Sequence, residues 1–323
     1  MKTITNSFLG QSVISIDQFG SIEMVLNLFM TADRMGKVID SHELYEPLRG
    51  KAVAILFYQP STRTFTSFHA AASRLGAYVI DVQEMAQYSS AAKGETLEDT
   101  MRTIEQTVAA DLIVLRHPED YSSEIAANIV PIPIINAGSG KAEHPTQALL
   151  DLYTIYQKFG RIDNLHVAMV GDLKYGRTIK SLAKLLALAG STNRLTLIAP
   201  TELAVSQDLL NELGPKVTIT QKQELNGTLA EADVVYMTRV QREWFEKEGK
   251  LDRYEQLKHK FILTRHLASL MPADSIIMHP LPRVGEVMQE VDDDPRAYYF
   301  KQMRSGLLIR MALLERILCA SKA

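Results

Sequence analysis

Several short stretches of the sequence carry side chains that can handle anions, and most of them follow an apolar run. Phe57-Tyr58-Gln59-Pro60-Ser61-Thr62-Arg63-Thr64 passes from an apolar strand into hydroxyls and an arginine, then into a helical pattern. Free N–H groups and the positive end of a helix dipole attract an anion there, and Ser61, Thr62 and Thr64 add hydroxyl donors. A Ser-Thr pair alone reads as an ordinary N-cap; Arg63 inside the turn favours phosphate, whose oxygens a planar guanidinium can grip in pairs. In Glu143-His144-Pro145-Thr146-Gln147, proline suits the first position of a helix. This sets His144 at the N-cap and Gln147 one turn along the same side, so both can address one ligand. Alternatively, His144 simply caps its helix.

Val170-Gly171-Asp172-Leu173-Lys174-Tyr175-Gly176-Arg177-Thr178 is another strand-to-helix turn, without the Gly-x-Gly-x-x-Gly that brings a pyrophosphate against the backbone. Arg177 stands at a helix start, where cation and dipole repel, so it faces either an anion or open solvent. Met237-Thr238-Arg239-Val240-Gln241 lies at the carboxyl end of an apolar strand, where open α/β sheets place their ligands. In an extended chain Arg239 and Gln241 share a side and suit a carboxylate, the other reading of Arg239 being a surface ion pair. His279-Pro280-Leu281-Pro282-Arg283 is a loop stiffened by two prolines, which leave carbonyls available as acceptors or serve only as a rigid turn. Two weaker signals remain. Ser89-Ser90-Ala91-Ala92-Lys93-Gly94-Glu95-Thr96 has the small residues of a mobile lid, and Leu115-Arg116-His117-Pro118 sets an arginine at a strand end.

The elements needed to position these stretches can be read from the apolar pattern. Short apolar runs at Ala52–Tyr58, Tyr78–Val82, Leu112–Leu115 and Ile132–Ile135 alternate with helical patterns at Ser67–Leu75 and Leu97–Val108. Such alternation predicts a parallel α/β sheet. A second series follows: a helix over Pro145–Phe159, then strands at His166–Val170, Leu195–Ile198, Lys216–Thr220, Val234–Met237 and Ser275–Met278. Leu307–Leu318 has the spacing of one amphipathic helix. The glycines and serine of Gly138–Lys141 predict a hinge between the two series.

Composition narrows the classes. With 323 residues, 46% of them hydrophobic, the chain can bury two cores, so two domains are expected. A net charge of -3 gives no support to a nucleic-acid or anionic-membrane surface. The single cysteine, Cys319, allows no intrachain disulfide or cysteine-based zinc site and fits a reducing cytoplasm. No apolar stretch approaches the roughly 20 residues of a membrane span, and Met1–Gly10 lacks a signal-peptide pattern. The eight histidines are scattered. With no Walker loop or nucleophile elbow either, a direct acyl-type transfer without metal, cofactor or covalent intermediate is the expected chemistry.

Taken together, Ser61-Thr62-Arg63-Thr64, His144-Pro145-Thr146-Gln147, Asp172 to Thr178, Thr238-Arg239-Val240-Gln241 and His279-Pro280-Leu281-Pro282-Arg283 resemble the catalytic chains of the aspartate carbamoyltransferase family, in that family's order and across nearly the whole length. Ornithine enzymes resemble His-Pro-Cys-Gln and His-Cys-Leu-Pro at two of these places, where this chain has Thr146 and Pro280. The resemblance implies an α/β fold of two doubly wound parallel-sheet domains with the active site between them. A carbamoyl-phosphate domain would span residues 1–143, an aspartate domain 144–302, and a final helix, 303–323, would pack back on the first. It implies that Ser61, Thr62, Arg63, Thr64 and Arg116 hold the phosphate, and that Thr64, Arg116 and His144 polarise the carbamoyl oxygen with Gln147 on the carbamoyl amide. Arg177, Arg239 and Gln241 would take the carboxylates of aspartate, while Leu281 and Pro282 would offer carbonyls to the ammonium and carbamoyl nitrogen. Ser89 and Lys93 would reach in from a neighbouring chain of a homotrimer; further assembly with regulatory chains is a level the residues leave open.

The chemistry matches that inventory. Two anionic substrates need several fixed cations, and a tetrahedral intermediate needs donors aimed at its oxygen. The departing phosphate is the expected acceptor of the amine proton, which makes positioning the main catalytic device. Three places depart from the family's pattern: Gln59 stands where a glutamate is common, Phe65 where arginine is usual, and Gly138-Ser139-Gly140 replaces the frequent Gly-Asp-Gly. The resemblance implies that the glutamate helps hold the domains closed, a charge missing here.

Overall fold

The computed structural model describes residues 8–225 and 227–319. They form two compact units, one built from the chain up to Tyr153 and again from Met303, the other from Thr154–Gln302.

In the first unit β1 (Ala52–Phe57), β2 (Tyr78–Val82), β3 (Leu112–His117) and β4 (Ile134–Ser139) lie parallel in the order β2-β1-β3-β4. The unbroken apolar runs of β1 and β3 are buried throughout the strand interior, as expected for central strands covered on both faces. From β1 the chain winds outward to β2, then crosses back to lay β3 on the other side. The gap between the ends of β1 and β3 is therefore a topological switch point. Ala54, Leu56, Ile113, Leu115 and Ile134 share one core with Met85, Met101 and Ala126 of the covering helices. Burying each large apolar side chain contributes about 1.5–3 kcal/mol.

Most of the last helix, Lys301–Leu318, belongs to this unit and buries Leu308, Ile309, Met311, Leu313, Leu314 and Ile317. Arg34 and Tyr45 both donate to Glu315, and Arg304 Nη2 reaches Asp40 at 2.5 Å.

The second unit holds β5 (His166–Val170), β6 (Arg194–Ile198), β7 (Thr218–Lys222), β8 (Val234–Met237) and β9 (Ile276–Met278), all parallel, in the order β7-β6-β5-β8-β9. Here the switch point falls between β5 and β8. Ala168, Val170, Val235, Met237 and Ile277 pack with Phe261, Leu263, Val291 and Tyr299.

Four expected elements shift, among them the last helix, which begins at Lys301 and not at Leu307. The helix read from Ser67 begins at Thr62, so the hydroxyl-rich motif opens the helix instead of preceding it. The strand read over Ile132–Ile135 runs Ile134–Ser139: Pro131 and Pro133 have no N–H to give a ladder, while Asn136-Ala137-Gly138-Ser139 is small enough to be buried throughout. Gly138 and Ser139 are therefore strand residues. The strand read over Lys216–Thr220 moves to Thr218–Lys222, because the N–H groups of Lys216 and Val217 go to the Leu213 carbonyl in the preceding turn.

Candidate active site

Each unit gathers its anion-handling residues at the carboxyl ends of its central strands. In the first unit, β1 runs into Ser61, at the N-cap of the helix Thr62–Arg74. Its hydroxyl makes no capping hydrogen bond, so the ordinary-cap reading does not hold. Thr62 and Arg63 are exposed, whereas Thr64 is buried. Phe57 pairs with Arg116 across β1 and β3, and Tyr58 N–H donates to the Arg116 carbonyl at 2.9 Å. Arg116 sits where the β3–β4 register slips, an irregularity that re-aims a side chain. Its Nη1 donates to the Ala137 carbonyl of β4 at 3.2 Å.

His144 precedes the helix Pro145–Phe159, and its carbonyl accepts from the N–H groups of Gln147 (3.0 Å) and Ala148 (3.2 Å). Both His144 and Gln147 are buried, and Gln147 Nε2 donates to Asp151 Oδ1 at 2.9 Å. Glu143 ties this turn to the beginning of the chain, accepting from the Ser15 hydroxyl and the Ile16 N–H, both at 2.8 Å. Ser61 to Thr64, Arg116, His144 and Gln147 thus follow three adjacent strands, β1, β3 and β4. Ser89 and Lys93 stand on the segment leaving β2. The Ser89 hydroxyl accepts from Ala91 N–H and donates to the Met85 carbonyl, while Lys93 is exposed at the end of a 3-10 turn.

In the second unit the ends of β5 and β8 are bound together. Gly171 has φ +115, and a Cβ there would meet the Thr238 carbonyl at 2.3 Å, so only glycine fits. Asp172 N–H donates to Thr238 Oγ1 at 3.0 Å, and that hydroxyl donates to the Val170 carbonyl at 2.9 Å. The Asp172 carboxylate accepts from Tyr175 N–H (2.9 Å) and Gln241 N–H (3.2 Å), so one buried acid fixes both the turn before Arg177 and the turn carrying Arg239 and Gln241. Burial pushes its carboxyl up to about 6 against the opposing effect of those N–H donors.

Arg177 is the first residue of the helix Arg177–Ala189. Arg239 is paired with Glu243, Nη1 to Oε2 at 3.0 Å and Nη2 to Oε1 at 2.5 Å, so the ion-pair reading of this arginine is realised. Burial opposes the Glu243 charge, but the bonds from Arg239 outweigh it and hold the carboxyl below its usual range. Tyr175 stacks on Trp244 with ring centroids 5.9 Å apart, which packs the 172–176 turn against the short helix Arg242–Lys247. After β9, Leu281 has φ +52 and precedes a cis bond to Pro282.

The comparisons also divide the chain in two, with the last helix falling in the second match. The chain matches the family description "Aspartate/ornithine carbamoyltransferase, carbamoyl-P binding domain" over residues 11–157 and "Asp/Orn binding domain" over 163–317. It is 46% identical to the chloroplastic aspartate carbamoyltransferase of Arabidopsis thaliana over 297 residues, covering 92% of this chain and 75% of that one. It is 42% identical to the aspartate carbamoyltransferase catalytic subunit of Thermoplasma acidophilum, covering 95% and 98%. The crystal structure of Trypanosoma cruzi aspartate transcarbamoylase in complex with N-(phosphonacetyl)-L-aspartic acid superimposes with a TM-score of 0.90 at 39% identity, covering 98% of each chain. The chain belongs to the aspartate carbamoyltransferase family.

For an aspartate carbamoyltransferase fold, the residues missed in the sequence are mostly buried acids. Asp172 lay inside a noted motif, but the motif gave no sign that its partner would be Gln241, and Asp151 carried no signal beyond one helical turn from Gln147. Glu243 carried no signal either, because Arg239 lies in the segment before the helix Arg242–Lys247 and the pair does not share a helix face. No helix among the described residues is long and apolar enough to cross a membrane.

Proposed function

We propose that this chain transfers the carbamoyl group of carbamoyl phosphate to the amino group of L-aspartate, giving N-carbamoyl-L-aspartate and phosphate, a step of pyrimidine synthesis. The observation that carries the reading is that anion-handling residues follow the strands that flank the switch point of each sheet: Ser61 to Thr64 after β1 and Arg116 at the end of β3, Arg177 after β5 and Arg239 after β8. A ligand joining a phosphonate to aspartate, as in the Trypanosoma cruzi complex, presents the anions that these two groups suit.

In this reading the first unit, up to Tyr153 and again from Met303, takes carbamoyl phosphate, and the second, Thr154–Gln302, takes aspartate, so the boundary falls beyond the expected residue 143. Arg63, Thr64, Ser61, Thr62 and Arg116 hold the phosphate. Thr64, Arg116 and His144 take the charge that develops on the carbamoyl oxygen; removing one such donor costs about 2.7–4 kcal/mol of barrier. Gln147, Leu281 and Pro282 orient the nitrogens, and Arg177, Arg239 and Gln241 hold the carboxylates. The departing phosphate accepts the amine proton. No metal or cofactor enters the scheme. Ser89 and Lys93 serve the site of a neighbouring copy in a homotrimer working in the cytoplasm, with regulatory chains as a further level of assembly and neither nucleic acid nor membrane as partner.

The test is carbamoyl transfer from carbamoyl phosphate to aspartate, ornithine and a panel of amino acids. Aspartate is expected to be the preferred acceptor; transfer to ornithine instead, or to none, would overturn the reading.

A further inference from the structure

A buried hydrogen-bond circuit surrounds the loop that follows β9. His279 and Glu286, at either end of that loop, are 1% and 4% exposed. Leu281 N–H donates to His279 Nδ1 at 2.7 Å. A ring nitrogen that accepts carries no proton, so the imidazole proton lies on Nε2, which donates to Glu286 Oε1 at 2.6 Å. The other carboxylate oxygen accepts from Val284 N–H at 3.0 Å. The histidine thus grips the loop at Leu281, the glutamate grips it at Val284, and each orients the other.

Both anchors are themselves fixed. His279 N–H donates to Gln302 Oε1 at 3.1 Å, and the Glu286 carbonyl accepts from Leu263 N–H at 2.8 Å, beside the Leu263–Val287 bridge. What the circuit holds is uncommon: Leu281 has φ +52, a left-handed backbone that a leucine rarely adopts and that persists only where its surroundings over-determine it. Burial alone would raise the Glu286 carboxyl, but the His279 hydrogen bond brings it below its usual range, so it remains a full acceptor.

We propose that His279 and Glu286 are positioning residues for carbamoyl transfer: through the N–H groups of Leu281 and Val284 they set the direction of the Leu281 and Pro282 carbonyls. The inference rests on the function proposed above, in which those carbonyls meet the ammonium and the carbamoyl nitrogen. Neither side chain touches substrate; they act through the backbone.

Three variants separate the contacts. In His279→Asn a side-chain oxygen can still accept from the N–H two residues on, as in an Asx turn, but cannot reach Glu286. In His279→Gln the amide reaches Glu286 and the Leu281 acceptor is lost. Glu286→Gln keeps the volume and puts a donor where two N–H groups need acceptors. With the intact chain as parent, kcat for carbamoyl transfer to aspartate is expected to fall about tenfold to a hundredfold in His279→Gln and Glu286→Gln. His279→Asn should retain more than His279→Gln.

Inhibition by inorganic phosphate, which the first unit is proposed to hold, should stay within about twofold of the parent in all three. A purely structural role would weaken phosphate and kcat together and would not rank the two histidine variants. Parent-like kcat in every variant, or an equal loss of phosphate inhibition, overturns the inference alone. If the histidine variants do not fold, Glu286→Gln decides by the same two readouts. An inactive parent overturns the function and the inference with it.

Discussion

Arg310 and Ser67 stand 243 residues apart in sequence, yet Arg310 Nη1 donates to the Ser67 hydroxyl at 2.7 Å. Arg310 Nη2 reaches the Thr146 hydroxyl at 3.4 Å, and the guanidinium lies 5.0 Å from the centre of the Phe68 ring. One side chain of the last helix therefore supports both the helix Thr62–Arg74 and the helix that opens after His144. Burial disfavours its charge, and the nearby Asp151 carboxylate offsets part of that cost.

Arg310→Ala should destabilise the protein by about 3–5 kcal/mol, because it removes one partner from a buried, charge-bearing arrangement. Urea unfolding of parent and variant at neutral pH measures this. A loss below about 1 kcal/mol, the range of an exposed pair, would mean that Arg310 is not a structural centre of the unit.

Asp172 gives the protein a pH dependence of known sign. Its carboxyl is raised from 3.8 to about 6 by burial, so between those values the folded chain holds a proton that the unfolded chain has released. Its stabilising contribution is complete below pH 3.8 and is lost as the pH rises through about 6. Asp172→Asn should therefore flatten the fall in stability across that window, by a total on the order of 3 kcal/mol. Denaturant unfolding of both proteins from pH 4 to pH 7 gives the two slopes; parallel slopes would show that Asp172 does not titrate there.

Arg239→Ala should raise the KM for aspartate far more than that for carbamoyl phosphate, because its proposed partner is a substrate carboxylate. Since Glu243 already occupies this guanidinium, Glu243→Gln should also change the aspartate KM, with carbamoyl phosphate little affected. Initial-rate measurements with each substrate varied in turn separate the two effects. Equal changes for both substrates would remove Arg239 from the aspartate group.

If the proposed homotrimer shares its sites, Lys93→Ala and Arg116→Ala should each be nearly inactive, since every site then lacks one cation. Unfolded and refolded together at equal amounts, they should regain about a quarter of parental activity, the share of sites with both intact groups in a randomly mixed cyclic trimer. Mixed trimers that form and stay inactive would show that Lys93 does not work across an interface.

Much of this was legible along the chain because the information is local. The apolar runs of β1, β5 and β8 are continuous, and the strands at His166–Val170 and Val234–Met237 have the ends their pattern predicts. Ser61 to Thr64, His144 with Gln147, and Arg177 could be named because each follows directly on an apolar run or opens a helix. β7 was misplaced because an exposed edge strand, Thr218–Lys222, has too little burial to mark its register.

By itself, the sequence determined which side chains stand at the strand and helix ends, since strand burial and helix entry are written in consecutive residues. Only the tertiary structure decided how they are held. Asp172 meets Gln241 across 69 residues and Arg310 meets Ser67 across 243, because adjacency in a parallel sheet is set by strand order, which no local pattern encodes. The same holds for Asp172's raised carboxyl: its titration follows from how much water the neighbouring strands exclude, a quantity that exists only once both ends of the sheet are assembled.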